Sequence, residues 1–124
     1  MKKSVTSFLI IAITIAGAGV ASAHTVLIGS NPSKSSVIKT LPAKITLKFA
    51  DPLLTLGKHA INKVVVTDPK GVVVTTDKDL VKGAVLTDPI SVVSPIIGIY
   101  KVSYRVSAQD GHIVTGSYTF TLSK

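Results

Sequence analysis

Three histidines occur in the 124 residues, and two stand where they could serve one metal ion. His24 follows Ala21-Ser22-Ala23, a small-x-small stretch of the kind signal peptidase accepts. Cleavage there would make His24 an N-terminal residue. Its free α-amine and its ring Nδ1 would then close a six-membered chelate around an ion. An α-amine has a pKa of about 7.7–8.0, so giving up its proton to a metal costs little at neutral pH. In the uncleaved chain the same nitrogen is an amide, a poor ligand. His112 lies in Asp110-Gly111-His112. Residues i and i+2 of an extended chain point to the same side, and Gly111 brings no side chain to crowd an ion. Amine, two imidazoles and a carboxylate make three nitrogens and one oxygen. Such donors in a tetragonal arrangement suit Cu(II), which tops the divalent affinity series, with Zn(II) and Ni(II) as competitors. The chain has no cysteine, hence no thiolate to favour zinc or Cu(I). Each piece also has a plainer reading. Asp-Gly is turn composition, and spacing alone does not bring residue 24 to residue 112.

The elements that would have to position these groups begin after residue 23. Lys2 and Lys3 form a positive start, and Phe8 to Val20 is an apolar run broken only by Thr14, Gly17 and Gly19. With the cleavage motif this reads as a secretory signal peptide over residues 1–23 rather than a retained membrane anchor, since the run falls short of the roughly 18 residues a spanning helix needs. The expected product is a soluble, exported domain over residues 24–124, periplasmic or secreted. That length fits one domain with its own core. Export usually permits disulfides, but a chain without cysteine must rely on packing and sheet ladders. The formal charge is +8, of which Lys2 and Lys3 leave with the leader. The remaining lysines are scattered singly, with no aromatic cluster to stack bases, which together with export argues against nucleic acid and for a solvated basic surface.

The pattern after the leader is all-β. Ile45, Leu47 and Phe49 alternate with Lys44, Thr46 and Lys48. Val64-Val65-Val66 and Val72-Val73-Val74 flank Asp68-Pro69-Lys70-Gly71, predicting a hairpin of two β-branched strands. Tyr100, Val102, Tyr104 and Val106 alternate with polar residues, as do Val114, Gly116, Tyr118, Phe120 and Leu122. Turn signals recur at Asn31-Pro32, Leu41-Pro42, Asp51-Pro52, Asp88-Pro89 and Pro95 with Gly98. Short strands at this spacing predict a Greek-key β-sandwich or barrel. Phe49, Tyr100, Tyr104, Tyr118 and Phe120 all fall on apolar parity and are expected in the core.

These residues resemble the CopC family of periplasmic copper-binding, copper-resistance proteins. The resemblance begins at His24-Thr25-Val26-Leu27 with Ser30-Asn31-Pro32 and continues through Leu41 to Phe49. It ends in Gly98 to His112 and Gly116-Ser117-Tyr118-Thr119-Phe120. It implies a cupredoxin-like or immunoglobulin-like β-fold of about seven strands. It also implies one Cu(II) held by the amine and ring of His24, the ring of His112 and the carboxylate of Asp110. Family members often carry an acidic residue just after the second strand's aromatic. Asp51 stands there, shorter than the usual Glu, with a turn role beside Pro52 as the alternative. The methionine-rich Cu(I) site of some members is not carried over, because the only methionine is Met1. His59, in Gly57-Lys58-His59-Ala60, reads as an exposed loop residue. An inner-membrane CopD-like copper transporter is the implied partner of a monomeric chain.

The function expected is therefore a copper carrier or buffer in copper homeostasis, resistance or uptake, and not an enzyme. No nucleophile triad, paired carboxylates or phosphate-cradling glycine loop occurs. Two rivals use the same residues differently. A histidine-brace copper monooxygenase would need an open coordination position and a substrate face. A carboxylate on the copper would oppose its reduction, being a hard ligand. An immunoglobulin-like structural or adhesion domain would bind no metal tightly.

Overall fold

The computed structural model describes residues 25–55 and 61–124. Their eight strands are β1 (Leu27–Asn31), β2 (Val37–Ile38), β3 (Lys44–Phe49), β4 (Lys63–Thr67), β5 (Leu80–Lys82), β6 (Val85–Pro89), β7 (Gly98–Ser107) and β8 (Ile113–Leu122). They form two sheets of four, ordered β1-β3-β6-β5 and β2-β8-β7-β4. All pairings are antiparallel except β2 with β8. The expected all-β sandwich is present, with no helix among the described residues.

Alternation decides which faces meet. Ile45, Leu47 and Phe49 of β3 turn inward while Lys44 and Lys48 stay outside. From the other sheet come Val64 and Val66 of β4, Tyr100, Val102 and Val106 of β7, and Tyr118, Phe120 and Leu122 of β8. The two inner faces close one core between them. Tyr100 stacks on Phe120, with ring centroids 5.3 Å apart and planes 12° from parallel. Both buried tyrosines find backbone partners, as burial requires. Tyr100 donates to the carbonyl of Ile96 at 2.8 Å and Tyr118 to that of Pro32 at 2.8 Å. Burial raises the pKa of each hydroxyl. Tyr104, also expected inside, is half-buried and meets Phe49 edge-on at 5.5 Å.

The valine hairpin departs from expectation in its second arm. Asp68 builds the turn, its Oδ1 accepting from the amides of Lys70 and Val72 at 2.8 and 2.9 Å. Val73 bridges Thr67, and Val74 donates to the Val66 carbonyl. There the ladder stops, because the Thr75 hydroxyl takes the Val66 amide at 3.3 Å. The chain then crosses to the other sheet, where Ser91 donates to Val74 and Thr76 to Pro89. Residues 72–74 are thus a crossing segment rather than a strand. Only Val74 is buried, while Val72 and Val73 face solvent.

Buried acid fastens that crossing. The Asp88 side chain points inward from β6, and its Oδ1 accepts from the Thr76 amide at 3.0 Å and hydroxyl at 2.9 Å. Asp79 precedes β5 and accepts from the Val64 amide at 2.8 Å. Burial is the main influence on Asp79 and raises its pKa. A carboxyl raised on folding contributes stability in acid, and that contribution is lost as pH rises through the folded value. Asp79→Asn keeps an oxygen for Val64 but removes the charge. Its urea midpoint is expected to exceed the parent's at pH 7. The advantage should vanish below about pH 4, where the unfolded carboxyl is also protonated. Equal midpoints at pH 7 would contradict this.

Candidate metal centre

β7 and β8 are joined by the turn that carries Asp110 and His112. Ala108 donates to the His112 carbonyl at 2.9 Å, and Gly111 to the Ala108 carbonyl at 3.0 Å. Gly111 has φ +86°, the left-handed region that favours glycine. A side chain there would meet nothing within 4 Å. Gly111 is therefore required for its backbone conformation and not for the space it leaves. The same bend corrects the extended-chain picture of residues 110 and 112. They face each other because the chain turns. The Asp110 carboxylate folds back, Oδ1 accepting from the His112 amide at 3.0 Å and Oδ2 lying 2.6 Å from the ring Nδ1. A carboxylate on one ring nitrogen fixes the ring's orientation, the usual support for a metal-binding imidazole. The His112 side chain is 65% exposed, within reach of an incoming ion.

Residues 50–54 run as a strap from the end of β3 toward this turn. Ala50 donates to the Val26 carbonyl at 2.8 Å. The Thr25 hydroxyl, fully buried, accepts from the Asp51 amide at 3.2 Å and lies 3.4 Å from the Asp51 carbonyl. Two residues on, Leu53 bridges Ala108, and the Gln109 side-chain Nε2 donates to the Leu53 carbonyl at 3.3 Å. Leu54 donates to the Ser107 carbonyl at 2.9 Å. The side chain of Asn62 closes the group, donating to the Leu54 carbonyl and accepting from the Ser107 amide, each at 2.8 Å. Residue 25 and the Asp110–His112 turn thus sit at the same pole of the sandwich, linked through the strap.

Of the residues singled out from sequence, Asp110 and His112 come together as described. Asp51 is exposed on the strap, and its backbone is bonded to Thr25. His24, His59 and the leader 1–23 lie outside the described residues. Among the described residues no three histidine or carboxylate side chains gather at one point. Asn62 carried no sequence signal, and Thr25 and Gly116 entered only as members of longer runs with no role of their own. Gly116 pairs with Tyr104, and a Cβ on it would overlap the Tyr104 ring and hydroxyl. Tyr104 thus lies across Gly116 with its ring edge-on to Phe49.

Fold and site define a class: a two-sheet sandwich with a carboxylate–imidazole pair at the pole where the N-terminal arm arrives. The chain belongs to the CopC family, whose CopC domain matches residues 27–123. It is 38% identical over 107 residues to copper resistance protein C of Pseudomonas syringae pv. tomato, covering 81% of each chain. Its structure resembles that of CopC from Methylosinus trichosporium OB3b, with a TM-score of 0.65 and 27% identity over 81% of this chain and 94% of that one. It also resembles PcoC, a methionine-rich copper resistance protein from Escherichia coli, with a TM-score of 0.65 and 25% identity over 82% of this chain and all of that one.

Proposed function

We propose that the chain is exported, loses residues 1–23, and carries or buffers copper outside the cytoplasm as one bound Cu(II) per chain. The ligands are the amine and ring of His24, the ring of His112 and the carboxylate of Asp110, with Asp51 as a further oxygen at the edge. The observation that carries this reading is the strap. It anchors Thr25, the neighbour of His24, at the pole that holds Asp110 and His112. The donor chemistry fits, being nitrogen and hard oxygen with no sulfur. Each carboxylate oxygen has more than one lone pair, so Asp110 can hold His112 and still face an ion. The copper resistance relatives support copper as the cargo. With Met1 the sole methionine, a thioether Cu(I) site like one a methionine-rich relative could build is not part of the proposal. The role is that of a non-enzymatic periplasmic carrier, and a CopD-like membrane transporter is the partner to which it would deliver.

The amine is the testable core of this reading. The processed protein starting at His24 and the same chain with one added residue before it are titrated with Cu(II) against a competing chelator. The native start is expected to bind one Cu(II) with a nitrogen-rich electron paramagnetic resonance spectrum. The extended form should bind at least about 100-fold more weakly, since a neutral amide replaces an amine. Equal binding by both would remove His24's amine from the site.

A further inference from the structure

We infer that Asn62 is a positioning residue for the metal centre, setting the distance between its two halves; this rests on the copper reading above. Asn62 is buried immediately before β4. Its side-chain amide uses both of its functions on backbone groups. Nδ2 donates to Leu54 on the strap, and Oδ1 accepts from Ser107 at the end of β7, a partner 45 residues away. Leu54 and Ser107 also bond each other directly, so three segments meet at one junction.

The junction lies between the two halves of the proposed site. Asp51, three residues before Leu54, is bonded through its backbone to Thr25, the neighbour of His24. Asp110 and His112 follow Ser107 by three and five residues. Between strap and turn the other links are the Leu53–Ala108 bridge, the Leu54–Ser107 bond and the bond from the Gln109 side chain to Leu53. Two bonds of one rigid amide are therefore a large part of what fixes the strap against β7. A chelate drawn from two separate segments needs them held to within about 0.5 Å of the binding geometry. Loosening the junction spreads that distance while both sheets stay paired, since Asn62 contributes to no sheet ladder.

The test uses the full chain expressed with its own leader and purified after processing. Asn62→Ala removes both bonds. Asn62→Asp keeps an acceptor for Ser107 and loses the donor to Leu54. Val66→Ala, in the β4 core away from the junction, is the control for lost stability alone. Each is assayed for Cu(II) affinity by chelator competition, for its electron paramagnetic resonance spectrum, and for metal-free melting. Asn62→Ala is expected to bind Cu(II) about 10–100-fold more weakly, the range typical of residues that orient ligands without being ligands, and to give an altered spectrum. Asn62→Asp should fall between it and the parent, and it carries the test should the alanine variant not fold. Val66→Ala should melt lower yet keep the parental affinity and spectrum. Parental affinity and spectrum in both Asn62 variants would overturn the inference, as would an equal affinity loss in Val66→Ala. An unsubstituted protein that binds no Cu(II) would instead sink the copper reading, and this inference with it.

Discussion

Replacing His112 with alanine is expected to lower Cu(II) affinity by about 100-fold or more while leaving the fold in place. Changes to groups that merely orient a ligand commonly cost 10–100-fold in metal affinity, and His112 is proposed as a ligand itself. Its side chain is largely exposed, and its ring Nδ1 meets Asp110 in the same turn. Exposed substitutions of this kind usually change stability by no more than about 0.5 kcal/mol. Gly111 and the Ala108–His112 backbone bond hold the turn without the ring. The two effects separate in one melting experiment. A metal that binds only the folded chain raises the melting temperature according to its affinity and concentration. The parent should therefore melt higher with Cu(II) than without. His112→Ala should match the metal-free parent and show almost no metal-dependent rise. A full rise in the variant would take His112 out of the site.

The largest stability effect is expected from Phe49→Ala, at about 3–5 kcal/mol, the usual cost of emptying a large aromatic from a core. Phe49 is buried at the end of β3, pairs in register with Leu27 of β1, and meets the Tyr104 ring edge-on. Tyr104 in turn lies across Gly116. Total stabilities of small domains run to about 5–15 kcal/mol, so the variant should lose much of its urea midpoint at unchanged slope. Val93→Ala, at a fully exposed position, is the matching control and should move the midpoint hardly at all. A loss under about 1 kcal/mol for Phe49→Ala would mean that the pole can collapse onto the vacancy.

The two predictions thus assign the proposed copper binding and the stability to different residues. Asp110 and His112, the proposed ligands, sit on an exposed turn, while Phe49 is buried in the core and packs against the Tyr104 ring. This division explains why the site residues are conspicuous in sequence and their supports are not. Asp110-Gly111-His112 is noticeable by composition. Asn62 is a lone polar residue ahead of a valine run, and Thr25 looks like any strand threonine. Their importance comes from partners 45 and 26 residues away.

The same contrast runs through the fold. Strands β3, β7 and β8 are legible because one face of each is uniformly apolar, a local property of period two. β6 is not, because Asp88 occupies one of its inward positions and breaks the apolar alternation. Valines 72–74 are as β-branched as valines 64–66, yet Thr75 and Asp88 turn that arm into a crossing between sheets. Propensity describes what a segment can pair with and not which partner wins it.

By itself, then, the sequence determined the all-β class, the inward faces of the longest strands and the donor types available to a metal, because each follows from residues at short, regular spacing. The tertiary structure alone decided that Asp110 grips His112 through a left-handed glycine turn. It alone decided that residue 25 reaches the same pole through the strap. Those outcomes depend on strand register and on hydrogen bonds between distant segments, which no local pattern encodes.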